Sequence, residues 1–355
     1  MDLVEIDEGV LREGAEQGLA FLRNVVSPDA IIGRSEGAPG LMMDPAYGTL
    51  FDRELIDSCG LYGRSSELPT MPEDQLANRG FLRVPYRRVP RRLLSGRDEL
   101  DAITAGIETE RMFPYWRGQS HEYLLERLPA TRWLLYGETH VLEPSLLTSA
   151  GRRGMAWERV LQDWAPLVRA HLDQTAELAD TRRDLYRSYR LRALLLALAQ
   201  HYGLPSCGLD VTPDLQVGLF FALHEFEDVG EVVLCRRKAP GDGKSVLYLL
   251  VAYPELTVDY DKLIPSIMTA ARPQVQQARF LATAWGYAPN ACARSLVFAL
   301  YLDPALDWGD DIPTCEQMFP SDDRFGNWLL GVKSLDLSPG ATRLLSRYKP
   351  IVPVR

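Results

Sequence analysis

The stretch LLLALAQHYGLPSCGLDVTPDLQVGLFFALHE, residues 194–225, decides how the rest of the chain is read. It opens on an apolar helical run that ends in Gln200, His201, Tyr202 and Gly203. Pro205 breaks the helix, because proline lacks the backbone donor and clashes with the preceding turn. Asp210, Val211, Thr212, Pro213 and Asp214 follow, and a second apolar run from Val217 to Leu223 closes the block. Polar groups therefore sit on turns between two segments that must be buried, which is how a ligand site is usually built. Outward from it, Phe113 to Gln119 reads as a strand ending in a tight turn, and its Arg117, Gly118 and Gln119 make the natural partner of the central block.

Each candidate residue has two readings. A guanidinium beside a glycine turn holds a phosphate or carboxylate through parallel hydrogen bonds, so Arg117 is either an anion grip or a buried partner of Asp210 or Glu122. Gly118 lets a ligand approach the backbone. His201 is either the last-turn histidine of a helix capped by Gly203 or a hydrogen-bonder to ligand. With no second His or Cys at metal spacing, a metal site is not expected. Thr212 and Pro213 read as an N-cap with proline at the first helical position, with Asp214 adding charge to the first turn. Gln276 either reads a ribose hydroxyl or base edge, since its amide donates and accepts, or is satisfied by backbone.

Composition limits the classes of function. The 355 residues carry a formal net charge of −9, with 46% hydrophobic and 25% charged residues. That is ordinary for a soluble globular protein and poor for a general nucleic-acid binder. The five cysteines form no C-x-x-C pair and are odd in number, so reduced thiols are expected. No apolar run is long enough to span a bilayer, and the acidic start is not a signal peptide, so a cytoplasmic location without membrane partners is expected. Walker A, G-x-G-x-x-G and G-x-S-x-G patterns are absent from the sequence.

In chain order, Asp7 to Val26 reads as an amphipathic helix, and Ala30 to Asn78 as irregular with a short helix near Phe51 to Cys59. Arg83, Arg87, Arg88, Arg91 and Arg92 form either a phosphate patch or a solvated connector. Ser95 reads as the N-cap of a helix from Arg97 to Arg111. Helices are expected over Tyr123 to Trp133, Met155 to His171 and Ala176 to Ala199. Glu231 to Arg237 and Val246 to Tyr253 read as the two strands of a hairpin around a Gly/Pro turn. Ser295 to Leu302 reads as a strand, and short helices are expected at Cys315 to Phe319, Phe325 to Val332 and Pro339 to Arg347.

Together these motifs resemble the FRG domain family. Trp116 to Gln119 resembles its F-R-G-Q signature, and Ala197 to Leu223 its A-Q-H-x-G-x-P-T-R-L-L-D-W-T block. Arg272 to Phe280 is similar to its R-x-x-A-Q-x-G-x-F segment, and Met318 to Asp323 to its F-P-D segment. Cys207 and Val211 stand where that family carries Arg and Trp, and Arg272, Arg279 or Arg132 could compensate for the missing Arg. The resemblance spans about Leu100 to Val332. It implies an N-terminal extension over residues 1–97 (helix plus irregular segment), an FRG-like domain over 98–335 and a C-terminal tail over 336–355.

The order of elements is also similar to R-S-E ADP-ribosyltransferases. The implied fold is α+β, an antiparallel or mixed sheet flanked by helices. By that likeness Arg117, Thr212 and Gln276 are the catalytic residues, Gln276 standing where the class has a glutamate. Arg117, Gly118, Gln119, His201, Asp210 and Thr212 are the expected nucleotide contacts, with NAD as cofactor and a nucleic acid or protein as acceptor, in a toxin or phage-defence setting. The alternative is a nucleotide- or nucleic-acid-binding module without turnover.

Overall fold

The computed structural model describes residues 3–5, 31–33, 41–44, 49–52, 89–107, 113–125, 140–149, 157–174, 190–206, 208–252, 257–259, 270–281, 290–332 and 337–354. The chain divides into two compact units. The first takes Met1–Arg88, Tyr123–Leu147 and Thr283–Leu296. It holds strands β1 (Leu3–Glu5), β2 (Ile31–Gly33), β3 (Leu41–Asp44) and β4 (Thr49–Asp52) in one sheet in that order. The last three strands fall in the stretch read as irregular. The helix expected from Asp7 to Val26 lies outside the described residues, as does most of the one near Phe51 to Cys59. Buried Asn290 joins two loops of this unit: its Oδ1 accepts from the Leu146 N–H, and its Nδ2 donates to Glu143 and to the Pro144 carbonyl. A buried amide is tolerated when its donors and acceptor are met in this way.

The second unit takes Val89–Glu122, Thr148–Ala282 and Val297–Arg355. In order it contains β5 (Arg91–Leu93), α1 (Arg97–Ala105), β6 (Phe113–Gln119), α2 (Trp157–Gln174), α3 (Arg190–His201), β7 (Leu209–Val211) and α4 (Leu215–Leu223). Next come β8 (His224–Val229), β9 (Val232–Arg237), β10 (Ser245–Ala252), β11 (Thr257–Asp259), α5 (Ala271–Val275) and β12 (Arg279–Leu281). It ends with β13 (Leu296–Leu302), α6 (Cys315–Met318), α7 (Arg324–Val332), α8 (Pro339–Leu345) and β14 (Ile351–Pro353).

The architecture is α+β, with several small sheets instead of the single one expected. One runs β5-β13-β10-β6, one β11-β12-β7 and one β14-β9-β8. β6 and β10 are antiparallel, with Tyr248 opposite Arg117. The expected hairpin is therefore corrected. β9 and β10 lie in different sheets, and the hairpin is β8–β9, turning at Gly230 with φ 61°. The Gly/Pro turn after β9 is real but closes on itself. Asp242 accepts from the Ala239 N–H and from Arg236, and Lys238 reaches the Ser120 and Gly243 carbonyls.

Helix α4 is apolar on all sides, and such a helix belongs in a core. Val217, Leu219, Phe220, Ala222 and Leu223 pack with Trp116, Leu247, Leu249, Leu300 and Met318. Its approach to β6 leaves no clearance. A Cβ on Gly118 would lie 2.1 Å from the Gly218 carbonyl oxygen and 2.3 Å from the Ala222 nitrogen. The two glycines allow a strand and a helix to touch backbone to backbone.

Three local expectations shift. Gly96, not Ser95, is the N-cap of α1, and Ser95 bonds Glu99 through its N–H and hydroxyl at 2.7 and 2.8 Å. Arg91 pairs with Glu122 at 2.7 Å and Arg92 with Glu99, so these two arginines are held within the protein. The first three of that arginine run lie outside the described residues, as do the helix expected at Tyr123 to Trp133 beyond Leu125 and the first part of the one beginning at Ala176. The reading of the cysteines as reduced is corrected at one pair. Cys235 on β9 and Cys315 on α6 form a disulfide, while Cys292 is buried. Cys59 and Cys207 lie outside the described residues.

Candidate functional site

The sequence places Arg117 and Thr212 far apart, and the fold sets them side by side. Trp116 and Thr212 form an antiparallel bridge, N–H to carbonyl in both directions at 2.7 and 3.0 Å. Arg117 Nη1 donates to the Asp210 carbonyl at 2.6 Å. The guanidinium is thereby fixed against the turn that carries Thr212. Gly118 lines the same cavity, but the close approach of α4 is what demands a glycine there. Gln119 lies outside the lining, and its buried Oε1 has no hydrogen-bond partner.

The cap of α4 is not where the sequence reading put it. Asp214 is the N-cap, accepting from the Gln216 N–H at 2.8 Å. Thr212 Oγ1 accepts from the Asp214 N–H at 3.1 Å, one step upstream. Both residues are good caps, and here the Asp214 carboxylate is the one that reaches the free N–H of the first turn. Thr212 is 5% exposed, and its hydroxyl retains its proton to donate into the cavity. Gln277 Nε2 donates to the other oxygen of Asp214 at 2.6 Å, which ties the end of α5 to the start of α4. Gln276 Nε2 donates to the Met318 carbonyl at 2.8 Å. Backbone satisfaction thus accounts for its donor.

His201 closes α3. Gly203, at φ 73°, donates to the Gln200 carbonyl, and Leu204 donates to the Ala199 carbonyl at 2.8 Å. This is the glycine-terminated helix end that the sequence reading expects. It turns the His201 ring inward, 7% exposed, with Nδ1 3.8 Å from Asp210 Oδ2. The Tyr202 hydroxyl donates to Asp323. Burial, and then the Asp323 charge, push its phenol well above the ordinary value, so Tyr202 stays protonated.

Arg117, His201, Asp210, Thr212 and Gln276 all line one cavity of about 440 Å³, the size of a nucleotide or cofactor site. Among the described lining residues, four are basic: Arg117, Arg272, Arg347 and Lys349. Two are carboxylates, Asp210 and Asp228. Phe221, Phe226 and Phe319 supply an aromatic wall. Arg272 is one of the three arginines named as compensating for the residue replaced by Cys207. Arg347 and Lys349 were missed. They lie in the segment read as a tail, and the signal there was two basic residues at alternate positions either side of Tyr348.

These features define an α+β domain around a cation-rich, aromatic-walled cavity whose residues converge from at least four segments of the chain. The resemblance read from the motifs stands: the FRG domain matches residues 115–230. That match includes Arg117, His201, Asp210 and Thr212 and ends before Gln276. No curated protein and no solved structure matches the chain. No helix among the described residues is long and apolar enough to cross a membrane.

Proposed function

We propose that the cavity binds NAD and that the protein transfers its ADP-ribosyl group to an acceptor on a nucleic acid or protein. The convergence of Arg117, Thr212 and Gln276 on one cavity supports this reading most strongly. Arg117 faces a phosphate of the dinucleotide, and the Thr212 hydroxyl and Gln276 carbonyl hold the ribose. The glycosidic bond to nicotinamide breaks with its electron pair leaving on the ring nitrogen. The acceptor then bonds to the sugar carbon and gives up its proton. A sugar carbon gaining positive charge is stabilised by a nearby anion. Gln276 supplies none, whereas Asp210 does, and its carboxylate is 29% exposed beside His201.

Incubating the full chain with NAD and measuring nicotinamide release tests the reading. Arg117→Ala and Thr212→Val should each lower release by about tenfold or more, the loss of one charge-assisted hydrogen bond or its equivalent. No release by the wild type with any nucleic-acid or protein acceptor, alongside measurable nucleotide binding, replaces this reading with binding without turnover. The amide at Gln276 favours that second reading.

A further inference from the structure

The cavity carries more positive charge than the transfer reaction uses. Lys349 is spoken for, since its amine donates to Asp228. Arg347 has no such carboxylate partner among the described residues, and Arg272 is held more loosely, by the Tyr348 side chain and a longer ion pair to Asp323. Arg272 is 6% exposed, and its guanidinium lies 4.8 Å from the Tyr202 ring centroid and 5.2 Å from that of Phe319. Asp323 Oδ2 is 3.8 Å from its Nε, beyond hydrogen-bond reach, and that carboxylate already accepts the Tyr202 hydroxyl at 2.9 and 3.0 Å. Arg272 Nε is buried without an acceptor, and so is Arg347 Nη1.

A guanidinium N–H removed from water normally has a partner, because leaving it unmet forfeits its hydration for nothing. The two arginines that carry these donors come from segments 75 residues apart in number (272 and 347), and both line one cavity. The Tyr202 and Phe319 rings flank the Arg272 guanidinium, and a planar fork is the side chain best matched to a phosphate.

We propose that Arg272 and Arg347 form an anion subsite in this cavity, distinct from Arg117, that seats a phosphate group of the ligand. The subsite shares its cavity with the NAD reading and names the phosphate contact on the wall opposite in sequence, but it requires no turnover. Calorimetric titration of the full chain with inorganic pyrophosphate, ADP and adenosine tests it, in wild type, Arg272→Gln and Arg347→Gln. Pyrophosphate and ADP should bind, and each substitution should weaken both by about tenfold or more, the worth of a hydrogen bond to a charged group. Adenosine binding should not change. ADP binding more tightly than pyrophosphate identifies a nucleotide's phosphate as the occupant, and equal affinities identify free phosphates; both support the subsite. If Arg272→Gln fails to fold, Arg347→Gln alone decides, because Arg347 is half-buried on the turn after α8. Wild-type affinity for pyrophosphate in folded Arg347→Gln, or no binding of pyrophosphate by the wild type, overturns the subsite. Nicotinamide release with an unchanged KM for NAD in Arg347→Gln also sinks it and spares the transfer reaction. Absent release, with pyrophosphate binding lost in Arg347→Gln, does the reverse.

Discussion

The cavity has two walls of different construction. One is made by β6, β7 and the start of α4, and it is held by backbone: the Trp116–Thr212 bridge, the Arg117 bond to a carbonyl, and the glycine contact between strand and helix. The other is made by α5, Phe319 and the segment from Arg347 to Ile351, and it is held by side chains and a cross-link. Within it β14 pairs in parallel with β9, whose Cys235 is bonded to Cys315 at a sequence separation of 80. A wall built on backbone contact tolerates almost no change of side-chain volume. A wall built on side chains is tuned residue by residue.

The sharpest way to break the first wall is Gly118→Val. The added atoms meet backbone on both sides, which cannot move aside, so a cost above about 3 kcal/mol is expected, beyond ordinary overpacking. Urea denaturation measures it, and a midpoint near that of the wild type would show that β6 and α4 are not in backbone contact. The second wall is tested by Cys315→Ser. Opening a loop of this length costs about 4.5 kcal/mol in the chain-entropy picture. Thermal unfolding with and without reductant checks it: the wild type should lose stability on reduction and the variant should not. Free-thiol counting that finds both sulfurs reduced in the purified protein removes the cross-link from the comparison.

A smaller change sharpens the boundary between capping and ligand contact. Asp214→Ala should lower stability by about 1 kcal/mol, the usual worth of an N-cap. Thr212→Val should cost less stability, since its oxygen bonds a residue ahead of the helix. The order reverses in nicotinamide release, where Thr212 matters more. Equal stability losses with equal activities would make Thr212 a second cap and nothing else.

The first wall was legible because its parts are contiguous motifs. Arg117 precedes a glycine, read as a turn but lying inside β6, and His201, Asp210 and Thr212 fall between two apolar runs. Gln276 was found from a polar pair inside an apolar segment. The misplacement of the α4 cap by two residues is a contest between neighbours: Thr212 and Asp214 are both good caps, and the choice depends on where the chain can begin to wind after Pro213. The second wall was not legible because no local pattern encodes it. A disulfide between residues 80 apart leaves no spacing signal, and a three-residue strand at Ile351–Pro353 is too short for periodicity to register. The hairpin was misread because the glycine-rich turn after β9 is the stronger turn signal, while the two strands flanking it part into different sheets.

The glycine-to-backbone contact of β6 and α4 also governs how the protein can be divided. Both glycines lie within residues 115–230, so that stretch carries both sides of the contact. Excised, it would keep the helix and lose Leu300, Leu302, Cys315 and Met318, which cover it. It would also lose Arg272, Gln276, Phe319 and Arg347, leaving an open trough with one greasy edge. A fragment that keeps the cavity whole therefore runs from β6 to β14.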